Sequence, residues 1–464
     1  MRAAAKVLLP FLFAGAAGAA EPPAWVQESN EHARVVLEVL VKFSPESASS
    51  LGVEGYDDQV RDLKPKVFER SRDASKAVLK DLKARLVRTR DPTVRQDIEI
   101  LIQAVEENLT SGQLQRDLVL PYFSISRQVF GGVRTLLDPR VSKERQALAV
   151  TRLKRYAGLE PKTEPIAKLA RDRIEERLRD KKLLRPLKDQ IEQNLADTPR
   201  LIAGIRDLFE KSGLDGWQEA MAALEQQLTA YDAWVKDVLL PQARTDHRLP
   251  PVLYADALKQ FGVDIPPEEL VDRALVSFHE IQTQMVTVAA QVAKEKKLKS
   301  ADYRDVIRAL KAKQVTGPAI LPLFEQRMAA LEQIIRREGI VTLPERKAVV
   351  RLASEAESAM QPAPNMRPPR LIGNTGEYGE FVLPLVVPGK EGREALRMDD
   401  FTHEAGSWSL TAHEARPGHE LQFSAMVEKG ISTARAVFAF NSVNVEGWGL
   451  YAEAEVQPYL PAEA

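Results

Sequence analysis

The sequence predicts a mainly α-helical fold with one small β element placed shortly before its most histidine-rich stretch. Apolar residues recur at helical spacing over most of the chain. Composition shifts towards proline and glycine between about Gln361 and Val387, and a single short run there, Gly376 to Pro384, has strand character. With 464 residues the chain is long enough to bury a large core. Its 44% hydrophobic and 28% charged residues are an ordinary balance for a soluble globular protein.

The first twenty residues differ in kind from the rest. Arg2 and Lys6 give a positive start, Val7 to Phe13 open an apolar run, and the small residues Ala16 to Ala20 precede Glu21-Pro22-Pro23. This order is that of a cleavable secretory signal over residues 1–20, cut after Ala19 or Ala20. The apolar run is too short for a membrane span, which needs about twenty residues. The expectation is an exported protein, periplasmic or secreted, with no stable membrane anchor after cleavage.

Residues 21–464 read as one large helical domain. From Lys66 to Glu107 the apolar positions Val67, Ala74, Val78, Leu82, Leu86, Ile98, Leu101 and Val105 keep helical spacing. Asp91-Pro92 interrupts them, with Asp91 placed to cap a second helix. Leu201 to Leu239 repeats the pattern, and so does Pro266 to Lys294, which opens with proline and two acids as helix N-termini do. The charged run from Arg171 to Lys182 reads as a solvated helix face. No fixed-period repeat signals a solenoid.

Pro362, Pro364, Pro368 and Pro369 forbid a continuous helix through the next segment. Gly376 to Pro384 follows as a strand, and Pro384 suggests an edge or a strand end. Gly389 to Glu394 reads as a loop.

Lys+Arg total 65 and Asp+Glu 66, a formal net charge of -1 that argues against a nucleic-acid partner. There is no cysteine, so a transition metal would be held by His and carboxylates. Of the six histidines, His403, His413 and His419 fall in one short stretch. His413-Glu414 followed by His419 suggests two imidazoles on a metal and a carboxylate that takes a proton from water. Glu446, in Val445-Glu446-Gly447-Trp448, is the natural third ligand.

The spacing is unusual. His413 and His419 are six apart, so on a straight helix they would point about 120° away from each other. Pro417 and Gly418 lie between them and can break the helix, letting the two rings converge. The alternative is a helix end with two surface histidines around a Pro-Gly turn.

His413-Glu414-x-x-Pro417-Gly418-His419-x-x-Gln422, followed by Glu446-Gly447-Trp448-x-x-Tyr451-x-Glu453, resembles the bacterial family called domain of unknown function 885. That family is similar in plan to gluzincins such as thermolysin and angiotensin-converting enzyme. The resemblance implies a zincin-like fold, with His413, His419 and Glu446 as zinc ligands and Glu414 as general base. It also marks Gln422 and Glu453, as supports around the ligands. Members of that family continue through further helices past the Glu-Gly-Trp segment, whereas this sequence stops at Ala464, so the expectation is a domain incomplete at its C-terminal end.

The other candidates are read as follows. Gly379 to Leu383, including Phe381, is expected to border the metal cleft and take a peptide by strand addition, or else to be a plain structural hairpin. Tyr451 either approaches the reacting water or is buried, and Trp448 is read as core. No usable third ligand follows His403, so it is read as packing or hydrogen-bonding locally; His32, His247 and His279 are read as structural. No Gly-x-Ser-x-Gly elbow or phosphate-cradling loop is present. The function expected is zinc-dependent hydrolysis of a peptide substrate, carboxypeptidase-like or otherwise. The alternative is a non-catalytic exported binding or scaffold protein. Oligomeric state is not legible.

Overall fold

A computed structural model describes residues 22–374, 376–384 and 400–461. The secretory signal expected over residues 1–20 and the loop expected over residues 389–394 lie outside these. Among the described residues are seventeen α-helices and three short strands. No described helix is long and apolar enough to cross a membrane.

Helix boundaries follow local chemistry. Val67–Arg88 ends before Asp91, whose carboxylate accepts from the N–H groups of Thr93 and Val94 and starts Pro92–Leu118 with proline in its first turn. Leu82, Ile98 and Leu101 from this pair are fully buried together. The apolar pattern of residues 201–239 is divided between Lys188–Ser212 and Gln218–Trp234. Gly213, at φ 71°, ends the first helix in the left-handed region that favours glycine. The charged run near Arg171 is not wholly solvated, because Arg173 is buried and donates to the Leu63 carbonyl at 2.9 Å.

The largest core fills the first half of the chain, around Phe130, Tyr156, Leu201 and Phe209. The long helix Pro267–Glu295 behaves differently. Only Ala289 and Ala293 are buried on it, while Val271, Leu275, Phe278 and Ile281 stay more than half exposed. Its apolar periodicity is real, but no described element covers that stripe.

The sheet contains β1 (Val349–Leu352), β2 (Asn365–Arg367) and β3 (Glu380–Leu383) in the order β1-β3-β2. β3 pairs parallel with β1 and antiparallel with β2. It is therefore the central strand, so of the two positions that Pro384 suggested, a sheet edge or a strand end, it occupies the strand end. Pro384 lies just past the last paired residue, where its missing N–H removes no ladder bond. The two outer strands are β1 and β2, and β2 is bracketed by Pro364 and Pro368. Phe381 and Leu383 point into a core with Phe324 and Ala415. Alternation turns Glu380 to the opposite face.

Candidate metal centre

The motif occupies two helices with a break between them. The first, Glu404–Glu414, is capped by His403, whose Nδ1 accepts from the Gly406 N–H at 3.3 Å. That capping bond accounts for His403 as a local structural residue. The helix stops at Ala415, and His419–Lys429 begins after Gly418. A side chain on Gly418 would fall on the His413 carbonyl oxygen, so this close passage requires glycine. Trp448 pins the turn from outside, its indole N–H shared between the carbonyls of Pro417 at 3.1 Å and Gly418 at 3.0 Å.

The break brings the two imidazoles edge to face with centroids 4.7 Å apart. Glu446 reaches them from the helix Ser442–Val456. Its Oε2 lies 3.4 Å from His413 Nε2 and 3.7 Å from His419 Nε2. All three donor atoms are within 4.8 Å of one another. Two donors each about 2 Å from a tetrahedral ion stand about 3.4 Å apart, so this set suits zinc with a fourth position open. Two nitrogens and one oxygen, without sulfur, also suit that ion.

Further groups orient the donors. Glu453, two turns along from Glu446, holds His413 Nδ1 at 2.7 Å. This leaves His413 Nε2 as the free lone pair on the side of Glu446. Gly449 sits between these acids, and a Cβ there would meet His413 Cε1 at 2.5 Å. His419 Nδ1 and Gln422 Oε1 are each buried and make no well-aligned hydrogen bond among the described residues, although Gln422 lies close enough to raise the His419 pKa. They are one helical turn apart and complementary as donor and acceptor, so a small rotation joins them. The Gln422 amide also donates to Asn444 Oδ1 at 3.4 Å, tying the second motif helix to the helix of Glu446.

A buried ion pair braces the turn. Arg416 is nearly inaccessible, and its Nε donates to Glu420 at 2.7 Å and its Nη1 to Glu332 at 2.6 Å. Its remaining nitrogen donates to the Arg346 carbonyl. Glu420 in turn accepts from Ser424 at 2.6 Å. Gly379 packs against the Glu420 side chain, behind the second motif helix.

Electrostatics separate the site's titratable groups. Burial pushes the Glu414 carboxyl up to about 7, and Glu446 and Glu453 act in the same direction. His413 and a hydrogen bond from the Met366 backbone oppose that rise. The Glu453 hydrogen bond raises the His413 pKa, whereas burial lowers that of His419. Glu414 is thus a carboxyl with a raised pKa beside three residues that could hold a metal ion.

Three expectations change here. Phe381 is fully buried, edge-on to Phe324 at 5.5 Å, and cannot touch a ligand. The strand at Glu414 is β2, one of the two edge strands, whose Met366 backbone N–H donates to the Glu414 carboxylate. Tyr451 is neither buried nor at the donors: it is 56% exposed and its hydroxyl pairs with Glu455. Arg416, Glu420 and Met366 were not singled out from sequence. Arg416 and Glu420 do carry an i,i+4 charge signal, but Met366 depends on strand order and carries none.

The sequence pattern of the family described as "Bacterial protein of unknown function (DUF885)" matches residues 45–458, and the chain belongs to that family. No curated protein matches it. Among solved structures, it is similar in fold to one described as "the putative lipoprotein from Colwellia psychrerythraea", with 15% sequence identity and a TM-score of 0.65. The similarity covers 93% of this chain and 78% of that one.

Proposed function

We propose that this family member is an exported, zinc-dependent peptidase of gluzincin-like plan. The observation that carries the reading is the convergence of His413 Nε2, His419 Nε2 and Glu446 Oε2 beside the half-buried carboxyl of Glu414. Zinc held by those three atoms would supply Lewis acidity, polarising a scissile carbonyl and making a water in its fourth position acidic at neutral pH.

The chain's own groups do the rest. Glu414 accepts a proton from the attacking water as its oxygen bonds to the carbonyl carbon. It then delivers that proton to the amine nitrogen as the C–N bond breaks. A carboxyl whose pKa lies near 7 serves both directions of transfer. Glu453 and Gln422 keep the imidazoles turned towards the open position. The outer edge of β2 at Met366 is the strand edge at Glu414, and an extended peptide can lie along it in place of β3, although its Met366 N–H is already donated to Glu414.

Metal analysis of the purified protein, followed by peptide hydrolysis with and without chelator, tests this reading. A peptidase contains one zinc per chain and loses hydrolysis when zinc is stripped. A non-catalytic scaffold shows neither dependence.

A further inference from the structure

The face of the sheet away from the motif turn borders a cavity of about 690 Å³. Its other walls are the helices Ile125–Leu136 and Lys188–Ser212. Strand alternation places Arg351, Arg367 and Glu380 on this side, opposite Phe381 and Leu383. Pro139, Pro199 and Leu208 give it an accessible apolar wall, backed by the buried Phe130 and Leu137.

Four guanidinium groups meet three carboxylates at its floor. Asp138 is held by Arg140 at 2.8 Å and Arg367 at 3.2 Å. Glu380 is held by Arg351 at 3.0 Å, Arg367 at 3.3 Å and Arg140 at 3.5 Å. Arg351 takes Glu357 Oε1 at 2.8 Å. Arg134 is left with that same oxygen, at 3.3 Å. Its Nε is buried with no hydrogen-bond partner among the described residues. The buried network therefore carries one positive charge more than its acids balance, and Arg134 is where the excess sits. At the rim Asp207 is paired with the exposed Lys211, and Glu355 faces water, so neither supplies the missing charge.

We propose that this cavity binds a small organic anion, with a carboxylate on the Arg134 guanidinium and an apolar body against Pro139, Pro199 and Leu208. A planar fork of N–H donors matches a carboxylate, and a fourth negative group would balance the fourth guanidinium. The volume is that of a small-molecule site rather than of a few waters. The Arg134 side chain is 26% exposed, so it is reachable through the cavity. Burial, with Arg367 and Arg351 as cationic neighbours, pulls its pKa down to about 10, the mark of a cation short of partners.

Calorimetric titration of the full chain with 3-phenylpropanoate tests the site. Saturable binding below about 1 mM is expected. Arg134→Gln should weaken it at least about tenfold, as should replacing the probe by uncharged 3-phenylpropan-1-ol. Ala203→Trp, at an exposed position lining the cavity, should abolish binding without touching the ion network. It decides the matter if Arg134→Gln fails to fold. Chelator should leave binding unchanged, because no metal donor takes part, which separates this site from the proposed peptidase centre. Failure of 3-phenylpropanoate to saturate, or unchanged affinity in Ala203→Trp, overturns the proposal. So does equal affinity for the alcohol.

Discussion

Glu453 Oε1 and His413 Nδ1 lie 2.7 Å apart, and that contact decides which imidazole nitrogen faces Glu446. With Nδ1–H donated to the carboxylate, Nε2 is the donor available to a metal. Glu453→Gln keeps the shape but loses the negative charge that raises the basicity of His413. The variant should bind zinc about 10–100-fold more weakly while remaining folded. Competition against a chelator of known affinity measures this. Unchanged affinity would show that Glu453 does not support the donor.

Two glycines on the helix of Glu446 give a sharper geometric test. A Cβ at Gly449 would meet His413 Cε1 at 2.5 Å and Nε2 at 2.7 Å, whereas nothing lies within 4 Å of one at Gly447. Gly449→Ala should displace the imidazole and lower zinc affinity. Gly447→Ala should leave affinity alone and stabilise the helix by about 0.5–1 kcal/mol. Thermal melts with metal titration distinguish the two, and equal effects would mean the ring is free to move.

Asp232 makes stability depend on pH away from the metal donors. Burial raises its carboxyl to about 6, with a Thr198 hydrogen bond opposing. The folded state then binds a proton that the unfolded state has released between about pH 4 and 6. Stability from this group is present below its unfolded pKa and is lost as pH rises through the folded value, by about 3 kcal/mol in order of magnitude. Asp232→Asn should flatten urea-unfolding stability between pH 4 and 7 relative to the parent chain, both in chelator. An unaltered pH slope would count against a buried, neutral Asp232.

Local chemistry was readable where a short stretch of sequence determines it. Asp91 caps the helix it was expected to cap, and Pro417-Gly418 interrupts the motif where the six-residue spacing required a break. What the sequence left open depends on distant partners. Periodicity in Pro267–Glu295 marks an apolar stripe but not whether anything covers it. Pro384 signals where β3 ends and says nothing about which strands flank it, so Met366 could not be placed beside Glu414. Arg416 and Glu420 show helical spacing, yet only tertiary packing makes that pair a buried brace.

Glu414 and Glu446 occupy the same site with different surroundings, which gives them separable roles. Glu446 has its Oε2 within 3.7 Å of both Nε2 atoms and a side chain 62% exposed, so it is placed to share a metal with them. Glu414 is half-buried, has its pKa pushed up to about 7, and is not one of the three clustered donors. Glu446→Ala should therefore lose zinc and hydrolysis together. Glu414→Gln keeps the shape of the side chain and removes only its ability to take a proton. It should retain zinc and lose about 10²–10⁴-fold in rate, the usual span for a general base. Because zinc content is read without turnover, the metal half of the test stands even where hydrolysis is slow. Zinc released by Glu414→Gln and retained by Glu446→Ala would reverse the two assignments.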